Sequence, residues 1–125
     1  MAQRLYDWAS LVARTVTLGG GRVTRNLEFW AMRLNNIGIV AVSGEPFAEL
    51  SLEVKRRSPL AHTFFLGYSN GCIGYLPTPE AFAEGGMEVE ESIRNYLLPA
   101  ALTPAWGPAI VETALDLLGS LHKGK

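Results

Sequence analysis

The chain has 125 residues and a formal net charge of −1, and 48% of its residues are apolar. A chain of this length can bury roughly two-thirds of its unfolded surface, so we predict one folded domain over residues 1–125, with disorder confined to the termini and the Gly19–Gly21 run. Basic and acidic residues nearly balance, and Lys55–Arg57 is the only basic cluster, which argues against a nucleic-acid-binding protein.

Cys72 is the only cysteine, which excludes an internal disulfide and a cysteine-based zinc site and leaves the compartment open. We expect its thiol to be packed. The first eight residues are amphipathic and contain no continuous apolar stretch. We therefore predict neither a signal peptide nor a transmembrane span, and the chain as written would be cytoplasmic.

The first third of the chain predicts a helix followed by a hairpin. Apolar residues recur at helical spacing before the triple glycine: Leu5, Trp8, Val12 and Val16. Aromatic and aliphatic residues then dominate 26–34, and 37–42 is a β-branched run. Asn35-Asn36 between them can adopt the positive φ of a tight turn, so the two runs should form an antiparallel pair.

A second helix is predicted to begin beside Glu45. Pro46 suits a first helical position, and apolar residues follow at helical spacing. The residues of this stripe are Phe47, Leu50 and Val54. Lys55–Arg57 fall in the last turn, where cations complement the helix dipole at a solvated helix end, and Pro59 prevents continuation.

The rest of the chain alternates between a strand, loops and helices. Residues 63–68 are apolar on both faces, which predicts a central strand covered on both sides. A turn at 69–71, an irregular segment at 72–78 and a short helix at 79–83 follow. We predict a weak helix at 90–98, a proline-interrupted connection at 99–108 and a strong C-terminal helix. That last helix is marked by Ile110, Val111, Ala114, Leu115, Leu118 and Leu121.

These elements predict an α/β fold of layered helices and sheet. The sheet is mixed, because the hairpin is antiparallel and a parallel pairing is expected across the second helix. Glu45 then follows the end of a strand, at the sheet edge where α/β folds bind ligands. The alternative is a glutamate that only complements a helix dipole. Asn70 and Gly71 close the next strand near the same edge, either shaping the following loop or simply forming a turn.

An ordered series of motifs resembles the bacterial neutral/alkaline (non-lysosomal) ceramidase family. The segments are Gly44–Glu49, Lys55–Pro59, Asn70–Gly71, Gly74–Thr78 and Glu80–Glu88, with a short-turn equivalent at Arg33–Asn36. The resemblance runs from about Leu27 to the C-terminal helix and corresponds to the last part of the family's catalytic domain. It implies a zinc-dependent amidase of sphingolipid metabolism, which cleaves the N-acyl bond of a lipid amide by metal-activated attack on the carbonyl.

The resemblance implies that Glu45 and Tyr75 are metal ligands. A carboxylate is a common zinc ligand, whereas a phenol normally ionises near pH 10 and needs a cation to become a good one. Taken without the motif, a tyrosine such as Tyr75 is more often a half-buried side chain that caps a loop than a metal ligand. The family's two histidine ligands and its catalytic serine lie upstream of the part represented here, so the catalytic residues stay unknown and this chain alone holds a half-site.

Local residues do not replace the missing ones. His62 and His122 lack the spacing of a zinc pair, and Met87 stands where many relatives have a second, hydrogen-bonding tyrosine. A group of aromatic residues could line an acyl-chain cleft, although such residues in strands usually belong to the core. The group comprises Trp30, Phe64, Phe65 and Phe82.

Three hypotheses follow. The first is a split zinc amidase whose missing ligands come from a complementing chain. The second is a non-catalytic, self-associating α/β domain, and the third a lipid-binding module that rests on fold analogy alone. A sheet without the neighbouring strands of a larger domain has exposed edges, which favours a homodimer or a partner chain.

Overall fold

A computed structural model describes residues 2–20 and 23–123. The chain has an α/β fold in which helices cover a mixed sheet, as predicted. In chain order the elements are α1 (Ala2–Thr17), β1 (Phe29–Leu34), β2 (Ile37–Val42), β3 (Glu45–Pro46), α2 (Ala48–Arg57), β4 (His62–Leu66), β5 (Tyr75–Leu76), α3 (Pro79–Glu84), a π-helical turn (Met87–Glu91), α4 (Ser92–Asn95) and α5 (Trp106–Lys123).

The main sheet has the strand order β1-β2-β4. β1 and β2 form the predicted hairpin, with Leu34 opposite Ile37 and Asn35 in the turn at a φ of 55°. The first strand begins at Phe29, three residues later than the aromatic run suggested. β2 and β4 pair in parallel, from Ile37 opposite His62 onward, which confirms the parallel pairing across α2.

The core lies between one face of this sheet and the helices α2 and α5. Every second residue of β2 points into it, so Val40 and Val42 are fully buried. Gly38 occupies the third such position because a Cβ there would lie 2.7 Å from a Leu60 methyl and 2.8 Å from a Leu118 methyl. The helices contribute the predicted apolar positions Leu50, Val54, Ile110, Val111, Ala114 and Leu118.

The prediction of a central strand at 63–68 is wrong. β4 is an edge strand that ends at Leu66, and β2 is the central strand. Phe65 packs partly against the core, whereas Phe64 on the other face is 54% exposed. The run is apolar on both faces, as in a doubly covered strand, but no described residue covers the second face.

Two helix boundaries differ from the predictions. α2 begins at Ala48 because Glu45 and Pro46 are extended and pair with β5. Pro46 tolerates the extended conformation of β3, because the hydrogen bonds to the β5 segment come from the N–H groups of Glu45 and Phe47 and not from position 46. α5 begins at Trp106, so Pro108 lies within its first turn, where a missing N–H costs nothing.

Other predicted elements are confirmed with smaller changes. The short helix is α3, which Thr78 caps by accepting a hydrogen bond from the Ala81 N–H. The weak helix over 90–98 is replaced by the π-helical turn and the short α4. Lys55–Arg57 do fall in the last turn of α2, where Arg57 pairs with Glu112 of α5 at 2.7 Å.

α1 forms where predicted, but no residue of it is fully buried. Leu5 and Val16 of its apolar stripe are exposed, and Trp8 attaches the helix by donating to the Leu98 carbonyl at 2.8 Å. The predicted disorder at Gly21 lies outside the described residues. Within 2–20 and 23–123, no helix combines the length and the apolar character needed to cross a bilayer.

Candidate metal half-site

The candidate site lies where β2 and β4 end. Two backbone hydrogen bonds join the segment after β4 to the end of β2 and the residues that follow it. The Tyr68 N–H donates to the Gly44 carbonyl at 2.8 Å, and the Ser69 N–H donates to the Val42 carbonyl at 3.1 Å. Gly67 permits this approach, because a Cβ there would lie 2.7 Å from Cδ of Pro46. The two chain segments that follow the parallel strands are therefore held side by side.

The small parallel pair β3–β5 then places Glu45 directly opposite Tyr75. The Glu45 N–H donates to the Gly74 carbonyl at 2.9 Å, and the Phe47 N–H donates to the Leu76 carbonyl at 3.1 Å. Glu45 therefore lies in a strand and not at the helix N-terminus that the sequence suggested. The two residues predicted as metal ligands are neighbours, although they are distant in sequence.

Aromatic rings surround this pair. Tyr75 meets Phe47 on one side and Tyr96 on the other, with ring centroids 6.5 and 6.1 Å apart and the rings nearly perpendicular. The Tyr96 hydroxyl donates to Glu45 Oε2 over 3.4 Å. Tyr96 therefore offers Glu45 a hydrogen-bond donor, whereas Met87, which cannot donate one, is 47% exposed.

The Glu45 carboxylate influences the ionisation of three phenols. As a hydrogen-bond acceptor and a negative charge it raises the pKa of Tyr68 well above the usual value. Burial, followed by the Glu45 charge, raises the pKa of Tyr75. Burial and hydrogen bonding to Cys72, with a smaller effect of Glu45, raise the pKa of Tyr96 to about 12. All three phenols are therefore neutral donors at pH 7.

An open depression of about 500 Å³ adjoins Glu45 and Tyr75. Carboxylates from three elements line it, since Glu49 comes from α2, Glu84 from α3 and Glu88 from the π-helical turn. None of the lysines and arginines that the structure describes lines it. Negative charge of this density attracts cations to the opening beside the pair.

The described residues do not make up a complete zinc site. A hydrolytic zinc has three protein ligands, and Glu45 and Tyr75 provide two oxygens. Among residues 2–20 and 23–123 no group of three or more His, Cys, Asp or Glu residues could hold a metal ion. His62 begins β4, at the opposite end of the strand from the site, and His122 lies near the end of α5.

The other residues considered as site candidates from the sequence lie in a turn, on either face of the main sheet or on α3. Asn70 and Gly71 both have positive φ, at 56° and 131°, so they form the turn that returns the chain towards β5. The aromatic group does not form one cleft. Phe65 is partly packed on the core and Phe82 lies beside Tyr75, whereas Trp30 and Phe64 are exposed on the uncovered sheet face.

Sequence reasoning missed Tyr68 and Tyr96. Tyr68 had a usable signal, since it follows β4 as Glu45 follows β2, and the ends of neighbouring parallel strands share one edge. Tyr96 had none, because it reaches Glu45 from the end of α4 through tertiary packing. Cys72, expected to be merely packed, is half-buried beside Tyr96.

None of the family models, curated proteins or solved structures compared with this chain matches it. The resemblance to the ceramidases therefore stays a prediction from the sequence motifs.

Proposed function

We propose that this chain is a ceramidase-like zinc amidohydrolase module that contributes Glu45 and Tyr75 to a metal site completed by another polypeptide. The single observation that supports the proposal is the β3–β5 pairing, in which Glu45 lies directly opposite Tyr75 near the carboxyl ends of the parallel strands β2 and β4. By the resemblance, the completed site hydrolyses the N-acyl amide bond of a lipid.

The surroundings of the pair suit a cation. Glu45, Glu49, Glu84 and Glu88 line one open depression, so a divalent ion would be attracted there. The Tyr96 hydroxyl orients the Glu45 carboxylate, as supporting hydrogen bonds do for ligating carboxylates in metalloproteins. The depression opens to solvent, which leaves room for ligands from a second chain.

Chemical complementation tests the half-site without knowledge of the partner. The purified chain should contain little tightly bound zinc. Cobalt(II), a spectroscopic substitute for zinc, should bind weakly, and added imidazole should then supply the missing nitrogen ligands. We expect the visible absorption of tetrahedral cobalt(II) to appear in wild type with imidazole, and to be lost in Glu45→Gln and Tyr75→Phe.

Matched variants control for charge and for loss of a hydroxyl. Glu49→Gln removes a carboxylate from the same depression, and Tyr6→Phe removes a phenol from the exposed side of α1. Both should retain the tetrahedral spectrum. Equal spectra in Glu45→Gln and Glu49→Gln would contradict the proposal, and stoichiometric zinc in the chain as purified would contradict its incompleteness.

The uncovered sheet face favours a second candidate, a non-catalytic α/β domain that associates through its sheet. Five large apolar side chains on that face are at least 37% exposed. This candidate requires no metal at Glu45. The cobalt experiment separates the two, because a non-catalytic domain gives no Glu45-dependent tetrahedral spectrum with or without imidazole.

A further inference from the structure

The face of the main sheet opposite α2 and α5 is apolar, and no residue within 2–20 and 23–123 covers it. Side chains of all three strands alternate onto it, and we call them the outer face. Its residues are Trp30, Met32 and Leu34 of β1, Ile37, Ile39 and Ala41 of β2, and His62, Phe64 and Leu66 of β4.

The composition of the outer face is that of a buried surface. β2 carries isoleucines on this face and valines on the core face, and strands that are apolar on both sides are typical of sheets covered on both sides. No Asp, Glu, Lys or Arg stands at any of its positions. Arg33 of β1 points to the opposite side, where it donates to the Leu121 carbonyl.

The outer face is large enough for a stable interface. The five large side chains that the β1 and β4 strands place on it are 37% exposed for Trp30 to 54% exposed for Phe64 and Leu34, and the β2 residues are partly buried between them. With ordinary side-chain areas these amount to about 600 Å² per copy, or about 1,200 Å² for a pair, which reaches the lower end of specific interfaces. An apolar patch of about 600 Å² lies at the upper end of what soluble monomers expose, where patches often have a function.

We propose that the outer face packs against the outer face of a second copy of this chain about a two-fold axis. A two-fold interface uses the same patch on both copies, and an uncharged patch creates no repulsion when it meets itself. The sheets would lie about 10 Å apart, with α2 and α5 on the outside of an α/β/β/α sandwich. The proposal differs from association through the strand edges, which the sequence suggested, and does not rest on the metal site.

Ile39 allows the face to be tested apart from the edges, because it lies in the central strand β2. We expect the wild-type chain to sediment as a dimer at micromolar concentration. Ile39→Lys should raise the dimer dissociation constant roughly 100-fold or more, since two uncompensated lysines would be buried at the interface. Leu52→Lys, at a 63% exposed position on α2, should leave the dimer unchanged.

Far-UV circular dichroism establishes that each variant is folded, and Phe64→Lys serves as a second face variant should Ile39→Lys fail to fold. A wild-type chain that stays folded and monomeric overturns the proposal, whether another protein or a lipid surface takes the face instead. A dimer that persists in folded Ile39→Lys or Phe64→Lys also overturns it, because such a dimer would use the strand edges. Neither result bears on Glu45-dependent cobalt binding.

Discussion

Leu76→Ala is expected to lower the free energy of unfolding by about 2–5 kcal/mol and to weaken cobalt binding at Glu45 and Tyr75. Leu76 is fully buried, and it follows Tyr75 in β5. Its side chain fills the space against Gly44, where an added Cβ would lie 2.6 Å from Cδ1 of Leu76. Removing it leaves a cavity directly beneath the Glu45–Tyr75 pairing.

Two further leucines separate the effect on the site from the effect on stability. Leu118→Ala removes an equally buried side chain from α5, so it should cost a similar free energy and leave cobalt binding with imidazole intact. Leu52→Ala, on the exposed side of α2, should change neither quantity appreciably. Urea denaturation gives the stabilities. Equal loss of cobalt binding in Leu76→Ala and Leu118→Ala would contradict this prediction, because it would show that β5 does not specifically position Glu45 and Tyr75.

Glu45→Gln is expected to shift tyrosine ionisation in the metal-free chain to lower pH. The carboxylate is the main cause of the raised pKa of Tyr68, whereas burial is the main cause for Tyr75 and Tyr96 and the carboxylate adds to it. An amide carries no charge, so the pKa of Tyr68 should fall towards the ordinary phenol value near 10, and the pKa values of Tyr75 and Tyr96 should fall by less. Tyrosinate absorbance, recorded against pH with a chelator present, follows the change, and Glu49→Gln is the control.

The same shifts predict how stability depends on pH. Folded pKa values above the unfolded value mean that the folded state holds its phenolic protons longer. Their contribution to stability is therefore complete below about pH 10 and is lost as pH rises through the folded values, which for Tyr96 is about 12. Glu45→Gln should make this alkaline loss smaller. Superimposable titration curves for wild type and Glu45→Gln would show that the carboxylate does not act on the phenols.

Local patterns were sufficient to predict the hairpin and α5. Asn35-Asn36 provides the turn that joins two apolar runs, and the Ile110–Leu118 stripe has the period of a helix packed on a sheet. The parallel pairing followed from a strand–helix–strand order, because such units usually return to the same sheet.

The parts that failed depend on distant contacts. The β3–β5 pair is only two residues long in each strand, so no alternation in sequence could reveal it. It nonetheless displaces the start of α2 and decides where Glu45 points. β4 was predicted as central because its apolar residues indicate two covered faces, and sequence cannot show whether the second cover belongs to the same chain.

The sequence motifs selected the two candidate residues, whose role as metal ligands stays a prediction, but could not predict their environment. Motif order selected Glu45 and Tyr75, and the fold brings them together. The packing of the π-helical turn and α4 determines three features of this environment. They are the hydroxyl of Tyr96, the charge of Glu88 and the exposed position of Met87. Packing of this kind has no local sequence signal.

The most direct test of the account is a crystal structure of the chain soaked with zinc and imidazole, with diffraction recorded on both sides of the zinc absorption edge. A metal half-site at this pair predicts an anomalous peak between Glu45 and Tyr75, about 2.0 Å from a carboxylate oxygen and the phenol oxygen, with imidazole at the remaining positions. A peak at His62, at His122 or among Glu49, Glu84 and Glu88, with none at the Glu45–Tyr75 pair, would contradict it.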